Sequence, residues 1–274
     1  MKNNTNQLPY KQCSFLLCIK MKNRISIVIP TLNEEENIKS CLNHLLNQKE
    51  KTFEVIVVDN GSSDNTLKIA DSLKSSFQKK GIILKTFYHP IGNQTNARDL
   101  GTRKSSGEII GSLDAEALAE KNWISKINEY MKDENIVAIG GKSYFRNRKG
   151  FFNFFYTINY YLRLFLGFYC IGGGNSAFRK KAFLKVNGYK GLEEIRKKEK
   201  MIFAKDDYFL SKKLEKIGKV KFCKDLNVSL LYRVRDKKTR TYKKTGKIQD
   251  ILKRAYLEIV YDYKISKYIN DKKY

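Results

Sequence analysis

The chain has 274 residues, and its 54 Lys and Arg against 28 Asp and Glu give a formal net charge of +26. With 42% hydrophobic and 12% aromatic residues it has the apolar content for a sizeable core, which excludes a chain disordered throughout. No segment reaches the roughly 18 uninterrupted apolar residues of a membrane-crossing helix, which argues against a polytopic membrane protein.

So large a positive excess points to a partner rich in phosphate: nucleic acid, an anionic membrane leaflet or a phosphorylated small molecule. Charge alone leaves all three open. The five cysteines (Cys13, Cys18, Cys41, Cys170, Cys223) are odd in number and form no C-x-x-C pair, and there are two histidines. Neither a disulfide framework nor a zinc site is expected, and a reducing compartment fits best.

Residues 1–20 contain a short apolar stretch without a small-residue cleavage site, and read as a disordered leader or an upstream mis-start. From Arg24 the pattern becomes regular. RISIVIP is an apolar run ended by proline, and the segment after it carries Ile38, Leu42, Leu45 and Leu46 at helical spacing, which predicts strand, loop, helix. FEVIVVDNGSSDNT followed by LKIADSLKSSF repeats the unit. A third strand is predicted at Ile82 to Tyr88, a helix near Asn93 to Ser105, and a fourth strand at Glu108 to Leu113. Strands apolar on both faces predict a mostly parallel α/β sheet between helices, with polar loops at the carboxyl ends of the strands, where ligands bind.

A helix to about Lys132 and a strand at Ile136 to Gly140 follow. Phe151 to Ile171 is the most apolar stretch of the chain, interrupted by Asn153, Asn159 and Arg163. It reads either as an interfacial segment or as a core helix. Gly172, Gly173 and Gly174 then end the helix and permit a close backbone approach. Beyond Arg233 a basic helical stretch carries an apolar stripe of Ile248, Ile251, Leu252, Ala255, Tyr256, Ile259 and Tyr263, which either packs on the domain or lies on a membrane surface.

Three acidic features carry chemistry. Asp59 ends an apolar strand, where a carboxylate needs hydrogen bonds from a ligand or from its own turn. Asp114 and Glu116 follow the fourth strand with one residue between them; on an extended backbone they share a face, and two such carboxylates suit Mg2+ or Mn2+. Asp206 and Asp207 open a helical pattern, where they serve as helix-terminal acids or as a base.

In order along the chain stand IVIPTLNEEENI, VIVVDNGSSDNT, NARDLGTRKSSGEIIGSLDAEA, GGGNSAFRKKAFLKVNGY and AKDDYFLSKKL. This succession resembles the family 2 glycosyltransferases of the GT-A fold, over about Ile25 to Arg235. The resemblance implies a glycosyltransferase domain at 21–235, with a nucleotide-binding half to about 120 and an acceptor half from 121, and leaves 236–274 as a basic helical extension. It implies nucleotide binding by Pro30, Thr31, Asn33 and Glu34, by Asp59 at the base or ribose, and by Arg98. Asp114 and Glu116 take the place of the DxD metal site, with Glu116 a departure from the usual second Asp. Gly173, Gly174, Asn175 and Arg179 would approach donor sugar and acceptor, and Asp207, beside Asp206, would be the catalytic base.

The expected activity is inverting transfer of a sugar from a nucleotide diphosphate donor to a hydroxyl acceptor in cell-surface glycan or glycolipid synthesis, with Mg2+ or Mn2+. Transfer to a polyprenyl phosphate is the alternative within the family, and a catalytically inert relative or a nucleic-acid-binding protein are the rivals outside it. No RNP motif, zinc-finger spacing or heptad supports nucleic acid. The Q/RxxRW signature of processive synthases is absent at Leu231 to Arg235, which favours one transfer per encounter. A peripheral position on the cytoplasmic face of the cell membrane is expected, from the aromatic segment and the basic extension together.

Overall fold

The computed structural model describes residues 25–90, 93–147, 153–154, 157–158, 161–162, 165, 171–202, 205–231, 234–235, 242–243 and 248–272. The leader expected over 1–20, and Asn159, Arg163 and Arg233, lie outside them. In chain order the elements are β1 (Ile25–Thr31), α1 (Ile38–Leu46), β2 (Phe53–Asp59), α2 (Thr66–Ser72), α3 (Lys74–Lys79), β3 (Ile83–Tyr88), α4 (Gln94–Lys104), β4 (Ile109–Leu113), β5 (Leu118–Ala119), α5 (Trp123–Tyr130) and β6 (Ile136–Phe145). After the aromatic segment come β7 (Asn175–Arg179), α6 (Lys180–Lys185), α7 (Leu192–Lys198), α8 (Asp206–Glu215), β8 (Lys219–Leu230), β9 (Val234–Arg235), β10 (Tyr242–Lys243) and α9 (Ile248–Asp271).

One eight-stranded sheet in the order β3-β2-β1-β4-β7-β6-β8-β5 runs through both expected halves. β3, β2, β1 and β4 are parallel, as the apolar runs predict, whereas β7 is antiparallel to both β4 and β6. Alternate residues of the buried strands feed opposite layers. Ile25, Ile27 and Ile29 pack with α1 and with Trp123, Ile124 and Ile127 of α5. Val28, Ile56 and Val58 pack with Ala97 of α4, Phe183 of α6 and Leu210 of α8.

The register sets the functional edge. Thr31 pairs with Asp59 across β1 and β2, so the two polar loops that follow leave the sheet side by side. Leu113 pairs with Asn175, so the reversal of β7 brings Gly173 and Gly174 back to the edge from which Asp114 departs.

The C-terminal helix corrects the sequence reading of its apolar stripe. Tyr256 and Tyr263 of the expected stripe are exposed, while Tyr261, Ile265, Tyr268 and Ile269 are buried against α7 and against Tyr208 and Phe209 of α8. Both sides of α9 carry apolar residues, and the side that packs is the one matching the apolar surface of α7 and α8. Within the expected extension at 236–274, α9 thus packs on α7 and α8, one of the two placements that the sequence left open. Among the described residues no helix is long and apolar enough to cross a membrane.

Candidate active site

The loops after β1 and β2 are tied together by side chains. Asp59, only 1% exposed, accepts hydrogen bonds from Thr31 Oγ1 (3.2 Å), Ser62 N (3.1 Å) and Ser62 Oγ. The residue expected to meet the base or ribose thus also holds its own loop. Asn33, at φ 53°, accepts from Ser63 N (2.9 Å), and Glu34 N donates to Thr66 Oγ1 (2.7 Å). Asn37 Nδ2 donates to Glu34 Oε2 (3.0 Å). Pro30 is buried in β1, beside Val58. Two residues that the motif comparison passed over complete the tie. Asp64 accepts from Glu35 N (3.1 Å) and Thr66 N (3.0 Å), and Glu35 Oε2 accepts from Asn65 N (3.0 Å). Burial raises the Asp64 carboxyl, but these hydrogen bonds outweigh it and hold it below its ordinary value.

The centre of the site is Arg98, projected from α4. Its Nη2 lies 2.5 Å from Asp114 Oδ1 and its Nη1 2.7 Å from Asp206 Oδ2, with its side chain 6% exposed. Asn93 caps α4, accepting from Thr95 N and Asn96 N, and so fixes the helix that presents Arg98 and Gln94. Gln94 Nε2 also donates to Asp114 Oδ1 (3.2 Å). Arg98, which the motif implies near the nucleotide, is thus the cross-brace of two carboxylates from opposite halves of the chain.

Asp114 and Glu116 do not lie on an extended backbone. Ala117 N donates to Asp114 O (2.9 Å), closing a turn, and Arg146 Nη1 donates to Glu116 O (2.8 Å) to hold it. The face-sharing argument from strand spacing fails, yet the turn keeps the two carboxylates within electrostatic reach. Burial, opposed by Arg98 and reinforced by Glu116, Asp206 and Asp207, pushes the Asp114 carboxyl up to about 6. Tyr189 stands beside Asp206 and Arg98, and burial followed by the Asp206 charge drives its phenol above its ordinary value. Cys41 Sγ meets Asp114 O (3.6 Å) from beneath, and burial raises its thiol.

The glycines form the opposing wall. A Cβ on Gly174 would stand 2.4 Å from Asp114 Oδ2, and one on Gly173 would stand 2.8 Å from Arg98 Nη2. Ser112 Oγ donates to Gly173 O (2.7 Å) and pins the segment. Asn175 turns inward: its Nδ2 donates to Lys142 O (2.9 Å) and Leu226 O (2.8 Å), and its Oδ1 accepts from Trp123 Nε1 (2.8 Å). It anchors the start of β7. Arg179 is not brought to the site. It sits at the other end of β7, donating to the carbonyls of Met131, Asp133 and Ile136. Asp207 opens α8 next to Asp206, and its Oδ1 accepts from Tyr208 N (2.7 Å).

Two carboxylates, Asp114 and Asp206, therefore meet one guanidinium, and Glu116 and Asp207 stand within electrostatic reach of Asp114. Among the described residues no group of three or more His, Cys, Asp or Glu is arranged to hold a metal ion by protein atoms alone. The excess negative charge and the hard oxygen donors of Asp114 and Glu116 fit a divalent cation that takes its other ligands from phosphate oxygens.

A family model described as "Glycosyl transferase family 2" matches residues 26–186, more than half of the chain. Among curated proteins, glycosyltransferase AglE of Haloferax volcanii is 31% identical over 128 residues, 46% of this chain and 41% of that protein. Chondroitin synthase of Pasteurella multocida is 31% identical over 140 residues, 49% of this chain and 14% of that protein. The match thus spans less than half the length of either relative. Among solved structures, the mannosyltransferase PcManGT from Pyrobaculum calidifontis, in complex with GDP-Man and Mn2+, aligns with a TM-score of 0.60 at 17% identity, over 91% of this chain and 75% of that one. S. aureus TarS 1-349 in complex with UDP aligns with a TM-score of 0.58 at 18% identity, over 76% of this chain and 60% of that one. These likenesses are of fold, the GT-A arrangement expected from the sequence. The family match ends before Asp206, Asp207 and α9.

Proposed function

The chain belongs to glycosyl transferase family 2, and from that premise we propose that it moves a sugar from a nucleotide diphosphate donor to a hydroxyl acceptor, with inversion at the anomeric carbon. The observation that carries this reading is the convergence of Asp114 and Asp206 on Arg98 at the carboxyl edge of the sheet, with Asp207 next to Asp206 and within electrostatic reach of Asp114. Asp207 takes the proton of the acceptor hydroxyl as its oxygen bonds to the anomeric carbon, and the bond from that carbon to the diphosphate breaks. Arg98 keeps Asp114 and Asp206 in place. Gly173 and Gly174 leave no side chain between the donor and the carboxylates.

Asp114 and Glu116 would hold Mg2+ or Mn2+, which supplies charge neutralisation to the departing diphosphate. That PcManGT was solved with GDP-Man and Mn2+, and a TarS fragment with UDP-GlcNAc, supports a donor of this class here. Calorimetry of UDP and GDP with Mn2+ tests the site. Asp114→Ala is expected to weaken binding by at least about tenfold, and more than Asp64→Ala does, since Asp64 only ties the neighbouring loops. Equal small effects overturn the assignment.

A second reading, that the acceptor is carried by a lipid and the chain works peripherally at a membrane, is favoured by the helical residues Phe154, Ile158, Tyr161, Leu162 and Phe165. All five are exposed, Phe165 to 87%. They follow β6, whose carboxyl end shares the edge of the site, and the basic run Arg146, Arg148, Lys149 precedes them. Apolar burial together with attraction to anionic headgroups is the combination that holds a protein on a leaflet. The buried face of α9 leaves that role to the aromatic segment. Sedimentation with anionic vesicles at low salt is expected to carry wild type down and to leave a Phe154→Ser/Phe165→Ser variant in solution. Identical behaviour of the two, or no sedimentation, removes this reading.

A further inference from the structure

We propose that Asp262 of the C-terminal helix is a positioning residue for the acidic pair Asp206 and Asp207, acting through a buried ion pair with Lys205 that fixes the backbone from which α8 begins. The proposal rests on the reading of that pair given above, and adds to it a role for a helix that the family match does not reach.

Lys205 combines three unfavourable features. It is a non-glycine residue in the left-handed region, φ 53° and ψ 31°, a conformation that costs on the order of 1 kcal/mol or more and persists only when the surroundings enforce it. It occupies the N-cap of α8 without making a side-chain cap, where Ser, Thr, Asp or Asn would satisfy the helix end. Its ammonium points into the protein, 2.6 Å from Asp262 Oδ1, with side-chain exposures of 7% for Lys205 and 0% for Asp262. A buried ion pair of this kind is commonly no more stabilising than apolar residues of the same volume. Stability alone therefore does not account for Lys205. What the three features share is location, directly before Asp206.

The same helix grips the chain on both sides of the pair. Ile202 N donates to Tyr261 Oη (3.2 Å), and Tyr208 Oη is hydrogen-bonded to Ser266 Oγ (2.7 Å). Tyr208 and Phe209 share an apolar cluster with Tyr261, Ile265, Tyr268 and Ile269. Residues 202, 205 and 208 are thus each tied to α9, and Asp206 and Asp207 are the span between them. With Lys205 held left-handed, Asp206 reaches Arg98 at 2.7 Å. Released to the right-handed region, Lys205 would swing the first turn of α8 and carry both carboxylates with it.

The test replaces the pair by apolar residues, Lys205→Met/Asp262→Leu, in the full chain, which removes both charges of the pair together. Hydrogen exchange of the amides of residues 206–209 is expected to accelerate at least about tenfold while the thermal midpoint stays near that of wild type. With the sugar nucleotide that wild type turns over best, kcat is expected to fall at least about tenfold and the donor KM to change less than about threefold. Unchanged exchange and unchanged kcat in a folded double variant overturn the proposal and leave the ion pair a structural contact. Asp262→Glu, which keeps the charge but lengthens the side chain, is read by the same measurements if the double variant does not fold, and wild-type exchange and kcat in it also overturn the proposal. Failure of wild type to turn over any donor counts against the transferase reading alone, because the exchange measurement decides the positioning role without a substrate.

Discussion

Arg98 holds carboxylates that lie 16 and 108 residues away in the sequence, and its own side chain is nearly inaccessible. Removing it leaves Asp114 and Asp206 close together and unpaired. Arg98→Met is therefore expected to cost about 3–5 kcal/mol, read as a lower urea midpoint at neutral pH. A loss below about 1 kcal/mol would mean that water and neighbouring groups already satisfy both acids. The identity of the site residues was legible in the motifs, but their partners were not. Nothing in NARDLG shows that the Arg faces two acids of its own chain, and nothing in VVDNGSSD decides whether Asp59 meets a ligand or Ser62. Asn175 and Arg179 lie far apart for a related reason. In an antiparallel strand inserted between two others, five residues carry the chain from one edge of the sheet to the other, so one motif spans two places.

At the scale of the element, α8 joins the acidic pair at its start to a buried cation further along. Lys213 Nζ donates to Gly188 O (2.9 Å) and Lys190 O (3.2 Å), bracketing Tyr189, which stands beside Asp206. Burial, with the nearby Lys190 charge adding to it, lowers the Lys213 ammonium to about 8 from an ordinary 10.5. Between those values the unfolded chain binds more protons than the folded one, so stability rises with pH over that window, and the cost of the buried charge is complete below it. The rise attributable to Lys213 is at most about 3 kcal/mol, and Lys213→Met should flatten it. Urea unfolding of both proteins from pH 7 to pH 10.5 isolates the difference from the titration of the other lysines. Parallel curves would show that Lys213 keeps its ordinary ionisation. The parallel strands and their helices were readable because apolar runs and helical spacing report burial on two faces or one. The packed face of α9 was not, because its sequence is apolar on two sides and only the surface of α7 and α8 selects between them.

Across the whole molecule, the formal charge is +26, whereas at the site carboxylates outnumber the guanidinium at its centre. On the proposed function, this contrast would draw an anionic donor toward the protein and leave its diphosphate to be met by a cation at Asp114 and Glu116. The fold could be read from the order of five motifs, since each supplies one loop of the same sheet edge. How that edge closes depends on the antiparallel direction of β7 and on the packed face of α9, neither of which a local motif states. The central claim, that this edge performs sugar transfer with Asp207 as base, is tested most directly by nucleoside diphosphate release. Wild type and Asp207→Asn are each given a panel of UDP- and GDP-sugars with Mn2+ and hydroxyl acceptors. The account predicts turnover of at least one donor by wild type, a fall of about 10²–10⁴-fold in kcat for Asp207→Asn, and donor affinity retained in the variant. Wild-type turnover in Asp207→Asn, or none with any donor in either protein, would contradict it.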